Sequence, residues 1–174
     1  MTMRRELGPL KPAGPYWVIG DPSGEHLKLK PEGIAHWSGG TERQLIAWSR
    51  LVNFGLETQP GKIASSKGLE RTAKILAHLS GVPYAASGGA RVGATLRSPY
   101  EDWGADFDHH SRRYPRHHIK LANEFLKQVI ARNKANRLGD PDWVSVAVEK
   151  LNQVPKSGAR SRKSAIEKIL DSLS

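Results

Sequence analysis

His26-Leu27-Lys28-Leu29-Lys30 alternates polar and apolar residues, Pro31-Glu32-Gly33 turns the chain, and Ile34-Ala35-His36-Trp37 resumes an apolar run. Period-two alternation marks a half-buried strand, and a Pro/Gly turn between two such runs marks an antiparallel pair. On the N-terminal side, Tyr16-Trp17-Val18-Ile19 is short, aromatic and β-branched, and Gly20-Asp21-Pro22-Ser23-Gly24 stops it. On the other side, Ser38-Gly39-Gly40-Thr41 is a further turn, after which Ile46, Trp48, Val52, Phe54 and Leu56 share one parity, interrupted by Arg50. That parity predicts a long bent strand, or two strands joined by a bulge near Ser49-Arg50. Four closely spaced strands with tight turns form an antiparallel meander. The Pro- and Gly-rich residues 1–15 before it read as an arm.

Past Pro60-Gly61 the period changes. Leu69, Ala73, Leu76 and Leu79 recur at helical spacing, Arg91 to Arg97 returns to strand character, and Asp102 to Phe107 predicts another strand. A long amphipathic helix is expected from Pro115 to Leu138, stopped by Gly139, with Ile119, Ala122, Leu126, Val129 and Ile130 as its apolar stripe. Asp140-Pro141 is an N-cap followed by Pro at the first helical position, and Trp143, Val144, Ala147, Val148 and Leu151 give the helix it opens an apolar face. Residues 156–163 read as a basic linker. Ser164-Ala165-Ile166-Glu167 reads as a capping box, opening a short helix whose Ile166, Ile169, Leu170 and Leu173 form a stripe. A helix of that length is not stable alone in water, so this stripe is expected to dock on its own domain or on a partner, a second copy included.

The segment Leu27 to Ile34, a glycine turn, and Ile46-Ala47-Trp48-Ser49-Arg50-Leu51-Val52 resemble bacterial pleckstrin-homology-like domains. The resemblance implies a binding scaffold: a bent antiparallel sheet or roll closed by a long helix, here Ile119 to Leu138. The expected class is therefore α+β, organised as an arm at 1–15, a PH-like domain at 16–138, a helical extension at 139–155, and a basic linker with a short amphipathic helix at 156–174.

Composition narrows the function. The 174 residues contain no cysteine, which excludes disulfides, thiolate metal sites and cysteine nucleophiles. No apolar run of signal-peptide or membrane-spanning length occurs, and a cytoplasmic protein is expected. Net charge is +10, of which +8 falls in residues 111–174, with fourteen Lys/Arg against six Asp/Glu. Charge concentrated in this way attracts anions. Arg112, Arg113 and Arg116 stand just before the long helix, and Arg116, Lys120, Lys127, Lys134 and Arg137 fall within about 100° of one another on it. Arginine forks suit phosphate. The expected partner is an acidic protein, a nucleic acid or another polyanion, bound through Arg112, Arg113, Arg116, Lys120, Lys127 and Lys134.

The competing chemistry lies in Asp106 to His118, which holds four of the seven histidines. Asp108, His110, His117 and His118, with His109 beside them, are the residues that could hold Zn, Mn or Fe(II) in a metal-dependent phosphoesterase or nuclease. Asp108-His109-His110 resembles the name motif of one phosphoesterase family, but the further acidic and histidine motifs of such a site are missing. Gly88 to Gly93 lacks the Lys-Ser/Thr of a P-loop, no Gly-x-Ser-x-Gly is present, and the five tryptophans are spread through core elements. No catalytic residue and no cofactor are assigned.

Overall fold

The computed structural model describes residues 5–57 and 90–174. The described residues form an α+β structure with two antiparallel sheets and three α-helices. The first sheet is a meander in sequence order: β1 (Leu10–Ala13), β2 (Tyr16–Gly20), β3 (His26–Lys30), β4 (Gly33–Ser38) and β5 (Thr41–Ala47). The second comprises β6 (Leu51–Glu57), β7 (Ala90–Leu96) and β8 (Glu101–Phe107), with β7 in the middle. The helices are α1 (Arg116–Ala131), α2 (Pro141–Leu151) and α3 (Ala159–Ser172). No helix among the described residues is long and apolar enough to cross a membrane. The helical spacing at 65–80 and the Gly88-Gly89 pair lie outside the described residues.

Local chemistry explains most of these elements. Ser38 pairs with Thr41 across a two-residue turn in which Gly39 and Gly40 have φ of 61° and 74°, the left-handed pair that a tight hairpin requires and glycine supplies without strain. Between β5 and β6 a short 3₁₀ turn, Trp48–Arg50, carries the chain from one sheet to the other. The buried Trp48 fixes this corner by donating its indole N–H to the Lys30 carbonyl at 2.9 Å. A register shift between Leu51 and Asn53 follows. The shared parity expected across 46–56 therefore breaks at the corner: Leu51 is buried and Val52 is 40% exposed. Of the two expected forms, the structure has two strands, joined at Trp48–Arg50 by a 3₁₀ turn and belonging to different sheets.

The expected arm is also corrected. Leu10–Ala13 pairs with Tyr16–Gly20 as the outer strand of the first sheet, and Leu7 and Leu10 are fully buried. Its Pro/Gly content concealed a strand at a sheet edge, where proline's missing N–H is tolerated. Beyond β8, the Asp108 carbonyl accepts the Asp21 N–H at 2.9 Å and the Asp108 N–H donates to the Glu25 carbonyl at 2.7 Å, tying the end of the second sheet to the β2–β3 turn of the first.

The long helix ends earlier than its apolar pattern suggests. Asn133 takes φ of 56°, a left-handed conformation that asparagine tolerates, and the Lys134 N–H returns to the Val129 carbonyl at 3.0 Å. A 3₁₀ segment at Ala135–Gly139 follows, in which Gly139 packs so closely that an added Cβ would lie 2.5 Å from the Lys30 carbonyl oxygen. Asp140 then caps α2, accepting the N–H groups of Asp142 and Trp143 at 3.1 Å each. Trp17 ties α2 to the first sheet by donating to the Pro141 carbonyl and the Ser145 hydroxyl.

The basic linker at 156–163 is shorter than expected, because α3 starts at Ala159 with Gly158 as its cap. Ala, Arg and Lys are strong helix formers, so Ala159 to Lys163 extends the helix and the supposed capping box at Ser164 lies inside it. Ile166 and Leu170 are buried, Ile169 and Leu173 partly so, in one core that also takes in both sheets, α1 and α2. The stripe expected to dock therefore docks on the chain's own helices. Replacing Leu170 by Ala should cost about 2–5 kcal/mol of unfolding free energy, read from urea denaturation. Deleting everything after Pro155 should lower the melting temperature. An unchanged midpoint in both would mean that α3 does not belong to the core.

Candidate functional site

The chain from Asp108 to Lys127 forms the candidate site, and its histidines hold it in place. The His110 N–H donates to the Tyr114 hydroxyl at 3.0 Å, and that hydroxyl lies 3.1 Å from His110 Nδ1. His110 Nε2 lies 3.1 Å from Glu6 Oε2. A carboxylate only accepts, so the proton sits on Nε2, and Nδ1 accepts from the tyrosine. This network fastens the loop to the N-terminal segment. The His109 ring packs on Tyr114, centroids 4.8 Å apart, and on Phe107 at 6.3 Å. Its Nε2 is buried without a hydrogen-bond partner among the described residues. His117 Nε2 donates to the Val154 carbonyl at 2.9 Å, which ties the start of α1 to the segment before α3. Asp108 Oδ2 accepts the Glu25 N–H at 2.7 Å.

Three of the four candidate metal ligands are separately engaged, Asp108 by the Glu25 N–H, His110 by Glu6 and Tyr114, and His117 by Val154, while the His118 ring lies 6.1 Å from that of His117. Among the described residues, no group of three or more His, Asp or Glu side chains is placed to hold a metal ion. Burial lowers the pKa of His109, with the neighbouring His110 charge adding to it, and burial likewise lowers that of His118, with His117 contributing. Burial pushes the Tyr114 phenol up to about 12.

The cations lie outside this framework. Arg112, Arg113, Arg116, Lys120 and Lys127 are exposed, and none of them takes part in an ion pair among the described residues. Neighbours on both sides fix the exposed strip of α1. On one side Asn123 Oδ1 accepts the Leu56 N–H of β6 at 2.9 Å, and on the other Gln128 Nε2 donates to the Lys163 carbonyl of α3 at 3.1 Å. The only exposed residues left on α1 are Arg116, Lys120, Lys127 and Ala131. Lys134 does not join them. It lies past the helix end, half-buried, and its ammonium donates to the Ser174 hydroxyl at 2.9 Å. Arg137, beyond it, belongs to the 3₁₀ segment.

The sequence reading passed over Glu6, Asn123 and Gln128, because each acts on a residue distant in sequence and none belongs to a motif. No family model, curated protein or solved structure matches the chain.

The lowered histidine pKa values set a direction for stability. Between the folded values and the ordinary value near 6.5, the unfolded chain binds more protons than the folded one, so stability rises with pH there. The contribution is complete above about pH 6.5 and is lost as the pH falls through the folded values. Urea midpoints should therefore drop between about pH 7 and pH 5, and the drop should be smaller in His109→Gln. An equal drop in both proteins would show that His109 is not a source of it.

Proposed function

We propose that this chain is a non-catalytic binding module of the cytoplasm, built on a PH-like scaffold, that binds a polyanion along the loop before α1 and the exposed strip of that helix. The carrying observation is that every charged residue exposed on α1 is a cation without an ion-pair partner among the described residues. The scaffold reading is supported by a meander that bends at Trp48 into a second antiparallel sheet, with a helix packed on that sheet's outer strand.

Helix electrostatics support the same reading. In α2 the charges follow the macrodipole: Asp140 caps it, Asp142 lies in the first turn and Lys150 in the last. In α1 and α3 they do not, since neither has an acidic residue in its first turn or a basic one in its last. Instead α1 opens on Arg116, with Arg112 and Arg113 just ahead, and α3 opens with Arg160 and Arg162. Cations at a helix N-terminus are unfavourable by about 0.3–1 kcal/mol each at low salt. A bound anion turns that cost into attraction. The shared chemistry of the ligand is a row of phosphate, sulfate or carboxylate groups.

The test is retention on a heparin matrix across a salt gradient. The native protein should be held at about 100 mM salt and released above it, as contacts that displace counterions require. The Arg112→Gln, Arg113→Gln, Arg116→Gln triple variant should elute at clearly lower salt with an unchanged melting temperature, because exposed, unpaired arginines contribute little to stability. A native protein that flows through at low salt would overturn the reading.

A further inference from the structure

Resting on the polyanion reading, we infer that the site has a second basic wall on and just before α3, and that its ligand is the sugar-phosphate backbone of a nucleic-acid duplex, bound without regard to sequence. The contacts between α1 and α3 advance together along the chain. His117 meets Val154, Gln128 meets Lys163, and Arg132 pairs with Asp171 at 2.7 Å. The two helices therefore run parallel, and residues 154–163 lie alongside residues 117–128. Lys156, Arg160 and Lys163 are exposed in that stretch. At about 100° per residue, Arg160 and Lys163 share the side of α3 that carries Asp171, which is the side turned toward α1. None of the three is in an ion pair among the described residues. Of the carboxylates on the facing sides, Asp171 is exposed but paired with Arg132, and Glu124 and Glu167 are half-buried, Glu124 accepting from Gln128 Nε2 at 2.8 Å.

Three features of this surface select the ligand. First, it offers no exposed aromatic ring. Tyr114 and Phe125 are buried and residues 156–164 contain none, so bases of a single strand have nothing to stack on. Second, Ala131 and Ala159 are the only exposed apolar side chains on these two helices, so the surface lacks the aromatic or aliphatic anchors that carry protein–protein affinity. Third, α1 cannot enter a major groove. A groove about 12 Å wide admits a single helix. Here β6 flanks α1 on one side and α3 on the other, with helix axes about 8–10 Å apart. The surface can lie across phosphates but cannot reach base edges, and phosphate contacts carry no sequence information.

The test is fluorescence anisotropy over a salt series on the full chain. The labelled probes are two duplex DNAs of unrelated sequence, a duplex RNA, a single strand of the same length, and polyglutamate. The two DNA duplexes should bind within about twofold of each other, and more tightly than the single strand or polyglutamate. The duplex RNA arm tells which duplex is preferred. Lys156→Gln, Arg160→Gln, Lys163→Gln should flatten the log–log salt slope for duplex by about 2.7, three contacts at about 0.9 each. Circular dichroism of the variant should match that of the native protein. Unequal DNA duplexes, tighter binding of single strand or polyglutamate, or an unchanged slope in the folded α3 variant would overturn this inference while leaving polyanion binding in place. Failure of every anionic probe to bind at low salt would remove both.

Discussion

The structure turns on how α1 is held. Its apolar residues Leu121, Ala122, Phe125, Leu126, Val129 and Ile130 are buried, and two amides close the seams on either side. Asn123 completes the backbone of the outer strand of the second sheet, and Gln128 satisfies a carbonyl of α3. A strand edge normally presents unpaired N–H groups to solvent. Here the helix supplies the acceptor for one of them. With both flanks occupied, only a narrow strip of α1 reaches solvent, and its charge is fixed by Arg116, Lys120 and Lys127. The positive charge of this strip is thus a consequence of how the core is packed. Were either neighbour absent, the same cations would point outward from a freely exposed helix and define no surface.

The histidine loop does comparable work at the other end of this face. A buried imidazole must either find partners or stay neutral. His110 finds two, Tyr114 and Glu6, whereas His109 lies against two aromatic rings and burial shifts it toward its neutral form. The partners of His110 occupy both of the ring nitrogens a metal would need there. They also fix the backbone that carries Arg112 and Arg113, so the two exposed arginines extend from an anchored base. Rigidity there reduces the ordering that binding would otherwise require.

Much of the architecture was legible in the sequence where one local signal decided the outcome. Alternation at 26–37, the double-glycine turn at 39–40 and the Asp140-Pro141 start each correspond to an observed element. The failures have two causes, tertiary burial in one case and a competing local signal in the others. Pro and Gly in 8–15 signalled an arm, but burial of Leu7 and Leu10 recruited a strand. Apolar spacing carried the helix through Lys134, but Asn133 in a left-handed conformation stopped it and removed Lys134 from the stripe. Ser164 to Glu167 has the letters of a capping box, but good helix formers upstream placed the start at Ala159. Of the six cations singled out, three share the exposed strip of α1 and two are exposed on the loop just before it. The sixth could be excluded only by knowing where the helix ends.

The C-terminal helix links stability to the charged face. Its opening residues place cations where the helix dipole disfavours them, as do those of α1. Three such placements cost about 1–3 kcal/mol in sum at low salt. Burying Ile166 and Leu170 gains about 1.5–3 kcal/mol for each side chain, enough to offset that cost. The apolar stripe and the basic stretch of α3 are therefore two sides of one arrangement. One side anchors the helix firmly enough for the other to hold unneutralised charge beside α1. In α2, which carries its charges in the favourable order, no comparable offset is needed. The residues that stabilise this face and those that give it its charge are different residues on the same two helices, so charge can be removed without unfolding the protein.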